Sequence, residues 1–337
     1  MRWPWQSRSD IGTGYIGIAL HPSGALAAVA SGVVSADGGR KVLGHCFQPL
    51  ADWQALGVWA RQLPCRRVRV VLVLPSDRYQ LQLLDALPVA DSELADAMRF
   101  RLGELADVPL EQLLVQAFRL PEDAYRGRQN MAFVAMSPRD SVQTLVNQCR
   151  EQQLRIEAVT ITELALLGLL EPLEPETSIA ILELEKDNGR LLIYSQGALY
   201  LRRDLQTGAA ALTTELAQLD NNSELTVAGS WSDSLSVGES APAAGGFQRL
   251  DTLALEIQRS LDYFDSQQGM GVVGQLWLVA AIDELDDSLL LALEQRLAMP
   301  CRRLSLGHWI ESDGNALTAS ALGAAWLALD PFWREAV

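Results

Sequence analysis

Lysine is nearly absent from this chain. Only Lys41 and Lys186 occur among 27 Lys and Arg residues, and neither sits in a G-x-x-x-x-G-K-[ST] loop, which excludes a P-loop nucleotide site. Cysteine and histidine are scarce as well. Cys46, Cys65, Cys149 and Cys301 lie far apart without C-x-x-C spacing, and the histidines are His21, His45 and His308 alone. Neither a zinc site nor a disulfide framework is expected, and the thiols should be buried and reduced. No apolar run approaches the ~20 residues that a membrane helix needs. The first residues, MRWPWQSRSD, lack an apolar core and a small-residue cleavage site, so they do not read as a signal peptide and a cytoplasmic protein is expected. The formal net charge of −15 argues against nucleic acid, whose phosphates are met by Lys and Arg. Two basic clusters depart from that balance: Arg61, Arg66, Arg67 and Arg69, and the pair Arg302 and Arg303. They read as solvated surface or as a face for an acidic or lipid partner. Trp3-Pro4-Trp5, beside Arg2 and Arg8, either packs on its own domain or rests on a membrane surface.

Apolar residues are plentiful, at 49% of 337 positions, enough for two lobes of ordinary size. The pattern reads as one plan used twice. In the first lobe, strands at Tyr15–Leu20 and Ala25–Ala30 are joined by the turn His21-Pro22-Ser23-Gly24, and Asp37-Gly38-Gly39 marks another turn. Val68–Leu74 is a continuous apolar run ending at Pro75, as a central buried strand would be. Met131–Met136 is a second such run, followed by Ser137-Pro138 as a helix start and Val142, Leu145, Val146 and Cys149 at helical spacing. Between them lies a satellite segment, about 80–128. Leu94, Met98, Leu102 and Leu105 share one helix face there, Asp91 is the expected N-cap with Glu93 in the first turn, Val108-Pro109 ends the helix, and Val115–Leu120 reads as a strand.

The second lobe reopens with strands Ile179–Leu184, Arg190–Tyr194 and Ala198–Arg202, with turns at Asn188-Gly189 and Gln196-Gly197. A helix is expected over Leu212–Leu219 and a loop over 221–249. Then come a helix striped by Leu253, Ile257, Ser260, Leu261 and Phe264, a strand at Leu276–Ala280, a helix carrying Leu290, Leu293 and Leu297, and a last helix with Leu322, Trp326 and Leu329. The expected boundaries are a tail at 1–10, a first lobe at 11–174 and a second at 175–330, with a reduced subdomain near 216–274. The expected class is α/β: a duplicated actin-like, ribonuclease H-like fold with a cleft between its lobes.

Several stretches then carry a specific resemblance. RSLDYF, LPVADSELADAMRFRLGELADVPLEQ, AFVAMSPRDSVQTLVNQCREQQLRIEAVTITELALLGLL and TASALGAAWLAL resemble the PilM family of type IV pilus assembly platforms, over about residues 11–330. The cytoplasmic domain of the type II secretion protein GspL is a more distant relative. The resemblance implies a platform component at the cytoplasmic face of the inner membrane. Such a protein binds the N-terminal cytoplasmic tail of a PilN-like membrane partner in a groove of the first lobe, and lies close to pilus motor ATPases. By that resemblance Met98, Arg99, Arg101, Leu102, Val115 and Phe118 are candidate partner contacts, while from the residues themselves Leu94, Met98 and Leu102 read first as core and the arginines first as a solvated helix face.

Against an actin-like nucleotide site, however, the sequence departs at each loop. Ala19 stands where an Asp for hydrated Mg²⁺ belongs, and His21 where a glycine should cradle phosphate, although Ser23 and Gly24 remain. In ILELEKDNG, Glu183 keeps the acidic position, but Glu185 replaces the phosphate-facing glycine, and a carboxylate repels phosphate in a desolvated cleft. Gly208 and Leu212-Thr213 are kept downstream. After the Leu276 strand, Ala280 and Ala281 replace a glycine pair and lead into Asp283 and Glu284. Asp10-Ile11-Gly12-Thr13-Gly14 spells a loop-like string, but no hydrophobic strand precedes it. No catalytic residue, metal ligand or ATP/Mg cofactor is therefore expected. An active ATPase, the alternative, would need Asp10, Glu183 or Asp283 to take over the metal, and nothing in the sequence selects for filament assembly.

Overall fold

The computed structural model describes residues 13–33, 40–102, 109–121, 124, 130–170, 178–216, 248–268, 272–280, 287–310 and 316–329. Trp3-Pro4-Trp5, Asp10 to Gly12, the 37–39 turn, Leu105, Val108, the 221–247 loop, Ala281, Asp283 and Glu284 lie outside them.

Two five-stranded sheets repeat one another. The first has β1 (Thr13–Leu20), β2 (Leu26–Val33), β3 (Arg40–Gln48), β4 (Arg67–Val73) and β8 (Ile156–Thr160), in the order β3-β2-β1-β4-β8. The second has β9 (Ile179–Leu184), β10 (Gly189–Ser195), β11 (Ala198–Leu205), β12 (Gln275–Ala280) and β13 (Cys301–Arg303), in the order β11-β10-β9-β12-β13. In each sheet the first three strands form an antiparallel meander, and the last two join in parallel. This is the duplicated actin-like plan.

The apolar run at β4 works because alternate residues face opposite sides. Val70 and Leu72 enter one core with Ile16, Ile18, Leu56 and Cys149, whereas Val71 and Val73 enter the other. Helix α1 (Trp53–Gln62) covers the first of these cores with Leu56 and Ala60 and is capped by Asp52, whose side chain accepts from Ala55 N–H at 2.9 Å. Strand β3 and helix α1 are not among the elements expected from the sequence, although α1 spaces Trp53, Leu56, Trp59 and Ala60 along one face.

The satellite is larger than expected. Strand β5 (Gln80–Asp85), helix α2 (Asp91–Leu102), β6 (Leu113–Arg119) and β7 (Met131–Pro138) form it, with β7 in the middle of the antiparallel sheet β5-β7-β6. The strand expected in the first lobe's main sheet thus belongs to the satellite, which runs past 128. Asp91 is the first residue of α2 rather than its cap, and its carboxylate takes the Arg119 Nε–H at 2.6 Å. Helix α3 (Arg139–Glu151) starts without a side-chain cap, because the Ser137 hydroxyl donates instead to the Arg78 carbonyl at 2.7 Å.

Chain crossings bind the lobes. Helix α4 (Thr162–Ala165) and the 3-10 turn Leu166–Leu169 lead out of the first lobe. In the second lobe, helices follow over 209–216 (α5), Gln248–Gln268 (α6) and Asp287–Leu297 (α7). The last helix, α8 (Ala316–Leu327), returns to pack on β1, β2 and that 3-10 turn, and residues 318–327 are all buried. Close approach requires glycine there. A Cβ on Gly17 would lie 1.8 Å from the Ala321 carbonyl oxygen, and one on Gly168 would lie 2.0 Å from that of Gly323. One hydrophobic cluster runs through both lobes, from Val71 and Phe133 to Leu182, Leu276 and Trp326.

Candidate functional site: the cleft between the lobes

Both hairpin turns face a cleft of about 230 Å³ lined by His21, Ser23, Thr162, Glu183, Glu185 and Arg190. This is smaller than the ~300–1,000 Å³ usual for small-molecule sites. In the first turn, Ala19 is buried between Ala27 and Val73 of the neighbouring strands and offers no polar group. The turn's amides are used internally: His21 N–H donates to the Ala25 carbonyl at 2.9 Å and Gly24 N–H to the His21 carbonyl at 2.9 Å. Ser23 N–H meets His21 Nδ1 at 3.2 Å, and that nitrogen also lies 2.7 Å from the Ser23 hydroxyl. Gly24, at φ +93°, is kept for its left-handed backbone. In the second turn Glu185 N–H donates to the Asn188 carbonyl at 3.0 Å. Gly208 is kept for packing, since a Cβ there would come within 2.3 Å of the Asp187 backbone. Ala280 ends β12 opposite Leu184.

Side chains from both lobes converge beside these turns. Glu163, on α4, is fully buried. Its carboxylate accepts from the Tyr79 hydroxyl at 2.6 Å and from Arg202 Nε–H at 2.9 Å, and Arg190 lies 3.8 Å away. The Glu163 backbone carbonyl accepts from the Tyr194 hydroxyl at 2.7 Å. Arg190 donates to Glu183 at 3.1 Å, and Asp204 closes the outer edge at 3.0 Å from Arg202. Burial pushes the Glu183 carboxyl up to about 7, against the lowering pull of Arg190 and with the help of Glu163 and Glu185. Burial alone would lower the Arg190 pKa, but Glu183 and Glu163 outweigh it and raise it. Burial and the Glu163 charge hold the Tyr79 phenol well above its ordinary value, so it stays a neutral donor. No group of three potential metal-ligating side chains occurs among the described residues.

The residues expected to contact a partner scatter differently. Met98 and Leu102 are fully buried against Ala132, Val134 and Met136, in the satellite core. They are packing residues, which corrects their assignment to a surface. Arg99 donates to the Leu110 carbonyl, and Arg101 donates to that of Asp85 at 3.0 Å. Val115 packs on the satellite core, and Phe118 sits 5.5 Å from the Phe133 ring. Among the described residues, a groove on the first lobe lies at the satellite's neck. It spans about 390 Å³ between the β1–β2 turn, the 76–78 segment and the start of α3, with Pro22, Asp77, Arg78, Asp140, Ser141 and Leu145 on its walls. Of the basic run, Arg61, Arg66 and Arg67 are exposed, while Arg69 pairs with Glu157.

Sequence reasoning found Glu183 but not its partners. Glu163 is a lone acid in the apolar run ITELALLGLL, and Arg190 directly follows the Asn188-Gly189 turn; a buried acid of that kind is the one local signal for the cluster.

The repeated sheets and crossing helices define a two-lobed protein of the actin-like class. No protein-family pattern matches the chain, and no curated protein matches it. Among solved structures, a protein of the PilM-PilN type IV pilus biogenesis complex is similar at 18% identity and TM-score 0.62, covering 94% of this chain and 99% of that one. The cytoplasmic domain of EpsL, an inner-membrane component of the Vibrio cholerae type II secretion system, matches at 14% identity and TM-score 0.41, covering 91% and 99%. A Bacteroides thetaiotaomicron protein with an actin-like ATPase fold matches at 12% identity and TM-score 0.46, covering 96% and 99%. Among the described residues no helix is long and apolar enough to cross a membrane.

Proposed function

We propose that this chain is a non-catalytic assembly-platform protein of a type IV pilus, in the place that MshI holds in the mannose-sensitive haemagglutinin (MSHA) system. In this reading it binds the N-terminal cytoplasmic tail of a PilN-like inner-membrane protein and stands at the inner membrane's cytoplasmic face through that partner. A pilus motor ATPase is a second partner. The observation that carries the reading is the neck groove of the first lobe, about 390 Å³ against about 230 Å³ for the cleft beside the hairpin turns. Its floor and walls mix Pro22 and Leu145 with Arg78, Asp77 and Asp140, suited to an extended segment with apolar anchors flanked by charge. The fold shared with a PilM-PilN complex protein, and the motif resemblance noted above, support the pilus assignment.

The cleft residues do not fit a Mg-nucleotide. The amides that would cradle phosphate are engaged within their own turns, and Glu183 and Glu185 line the same space. Both features disfavour a polyanion.

A thermal-melt titration tests the proposal, with Mg-ATP, with ADP and with a peptide of the partner's tail. A ligand at about 100 times its Kd stabilises by roughly 2.7 kcal/mol. The expected result is a shift with peptide, none with nucleotide, and loss of the peptide shift in Arg78→Glu. A Mg-dependent nucleotide shift would instead bring the ATPase reading forward.

A further inference from the structure

We propose that Arg190 and Arg202, anchored on Glu163, form a latch that fixes how the two lobes sit against each other. Glu163 sits on the short helix through which the chain leaves the first lobe, and it is touched from both sides. Tyr79 reaches it from the satellite's neck at 2.6 Å. From the second lobe come Arg202 at 2.9 Å, Arg190 at 3.8 Å and the Tyr194 hydroxyl on its backbone carbonyl. Parting the lobes would leave the Glu163 carboxylate with the Tyr79 hydroxyl but without its two guanidinium groups, beside the buried Ala165 and Leu166. An ionised side chain without its partners in such surroundings is strongly disfavoured. Asp204 then acts as the outer clasp, 58% exposed and within 3.6 Å of Arg190 and 3.0 Å of Arg202.

In two-lobed folds with an interdomain cleft, a ligand commonly supplies the contacts that close it. Here the side chains supply them, and two guanidinium groups stand against the carboxylates of Glu163, Glu183 and Asp204. The lobe contact rests on this geometry alone and not on the non-catalytic reading.

Hydrogen–deuterium exchange of the full chain tests this, followed over residues 156–170 and over the β9–β10 hairpin. Wild type is compared with Glu163→Gln, Arg190→Met, the double variant and Asp204→Asn, each checked for native near-ultraviolet circular dichroism. Exchange in the linker should rise roughly tenfold in each of the first two variants. The double variant should exceed neither by much, because the residues share one network. Asp204→Asn should give a smaller rise, and it serves as the readout if the buried variants do not fold. Unchanged linker exchange in folded Arg190→Met, or in Asp204→Asn where only that variant folds, would overturn the latch, as would fully additive effects. Slower wild-type exchange on adding Mg-ATP would show nucleotide binding and bring the ATPase reading forward, and the variant comparison would still decide the latch.

Discussion

Arg190 and Glu183 face each other directly across β10 and β9, with the guanidinium 3.1 Å from the carboxylate. An opposed pair of this kind on adjacent strands sets opposite charges against each other, although the Arg190 Nε–H is left without a hydrogen-bond partner among the described residues. Yet Glu183 is so enclosed that desolvation still dominates its ionisation. The pair therefore holds its geometry at a cost that depends on pH.

That cost sets a measurable slope. Glu183 titrates near 7 in the folded chain against an ordinary value of 4.5, so between these values the folded state binds more protons than the unfolded one. Stability is then greatest below about pH 4.5 with respect to this group and falls as pH rises through 7, by roughly 3 kcal/mol in all. Urea unfolding of wild type and Glu183→Gln at several pH values should show this component in wild type only. Equal slopes in the two proteins would contradict it.

Gly17 admits no side chain where α8 crosses β1. Its replacement by Ala places a Cβ 1.8 Å from a backbone carbonyl, which only movement of the helix can relieve. Gly17→Ala should lose about 2 kcal/mol or more. Gly307→Ala, whose nearest neighbour is a side-chain oxygen at 3.5 Å, should stay within about 0.5 kcal/mol. Denaturant midpoints for the two variants check both.

Met98 should matter for stability and not for partner affinity. Met98→Ala empties a fully buried site and should cost about 2–5 kcal/mol. Peptide affinity, measured where the variant remains folded, should be unchanged. A large drop in affinity without loss of stability would return Met98 to the binding surface.

The four thiols should divide into two classes. All are free; Cys149 and Cys301 are buried with their pKa pushed up to about 12, chiefly by burial, while Cys46 and Cys65 are partly exposed. Since the thiolate is the reactive form, a native titration with an aromatic disulfide should modify Cys46 and Cys65 first. Cys149 and Cys301 should follow only at the rate of unfolding.

Much of the architecture was legible along the chain. Strands β1, β2, β9, β10 and β11 and the buried β4 follow from runs of apolar residues and from turn residues such as Asn188-Gly189, and the satellite helix from Leu94, Met98 and Leu102 on one face. The placement of β7 was not, because Met131–Pro138 is an apolar run that suits the centre of either sheet. Its partners, β5 and β6, are chosen by the chain's path. Helix α1 was legible in principle, since Trp53, Leu56, Trp59 and Ala60 recur at helical spacing and pack on one core. In the cleft, the departures at Ala19, His21 and Glu185 could be read residue by residue, but the network around Glu163 could not.

The division has a physical cause. The sequence by itself determined the repeated hairpin-and-strand plan, the absence of a P-loop motif and the residues at the hairpin turns, Ala19, His21 and Glu185, since each depends on residues a few positions apart. The tertiary structure decided that Tyr79, Glu163, Arg190 and Arg202 meet, that Met98 is core, and that the groove lies at the satellite's neck. Those contacts join residues as distant as 84 positions between Tyr79 and Glu163, and 295 between Ser31 and Trp326. Such pairs leave no periodic trace, because their nearness comes from how buried apolar faces bring the two lobes and the returning last helix together.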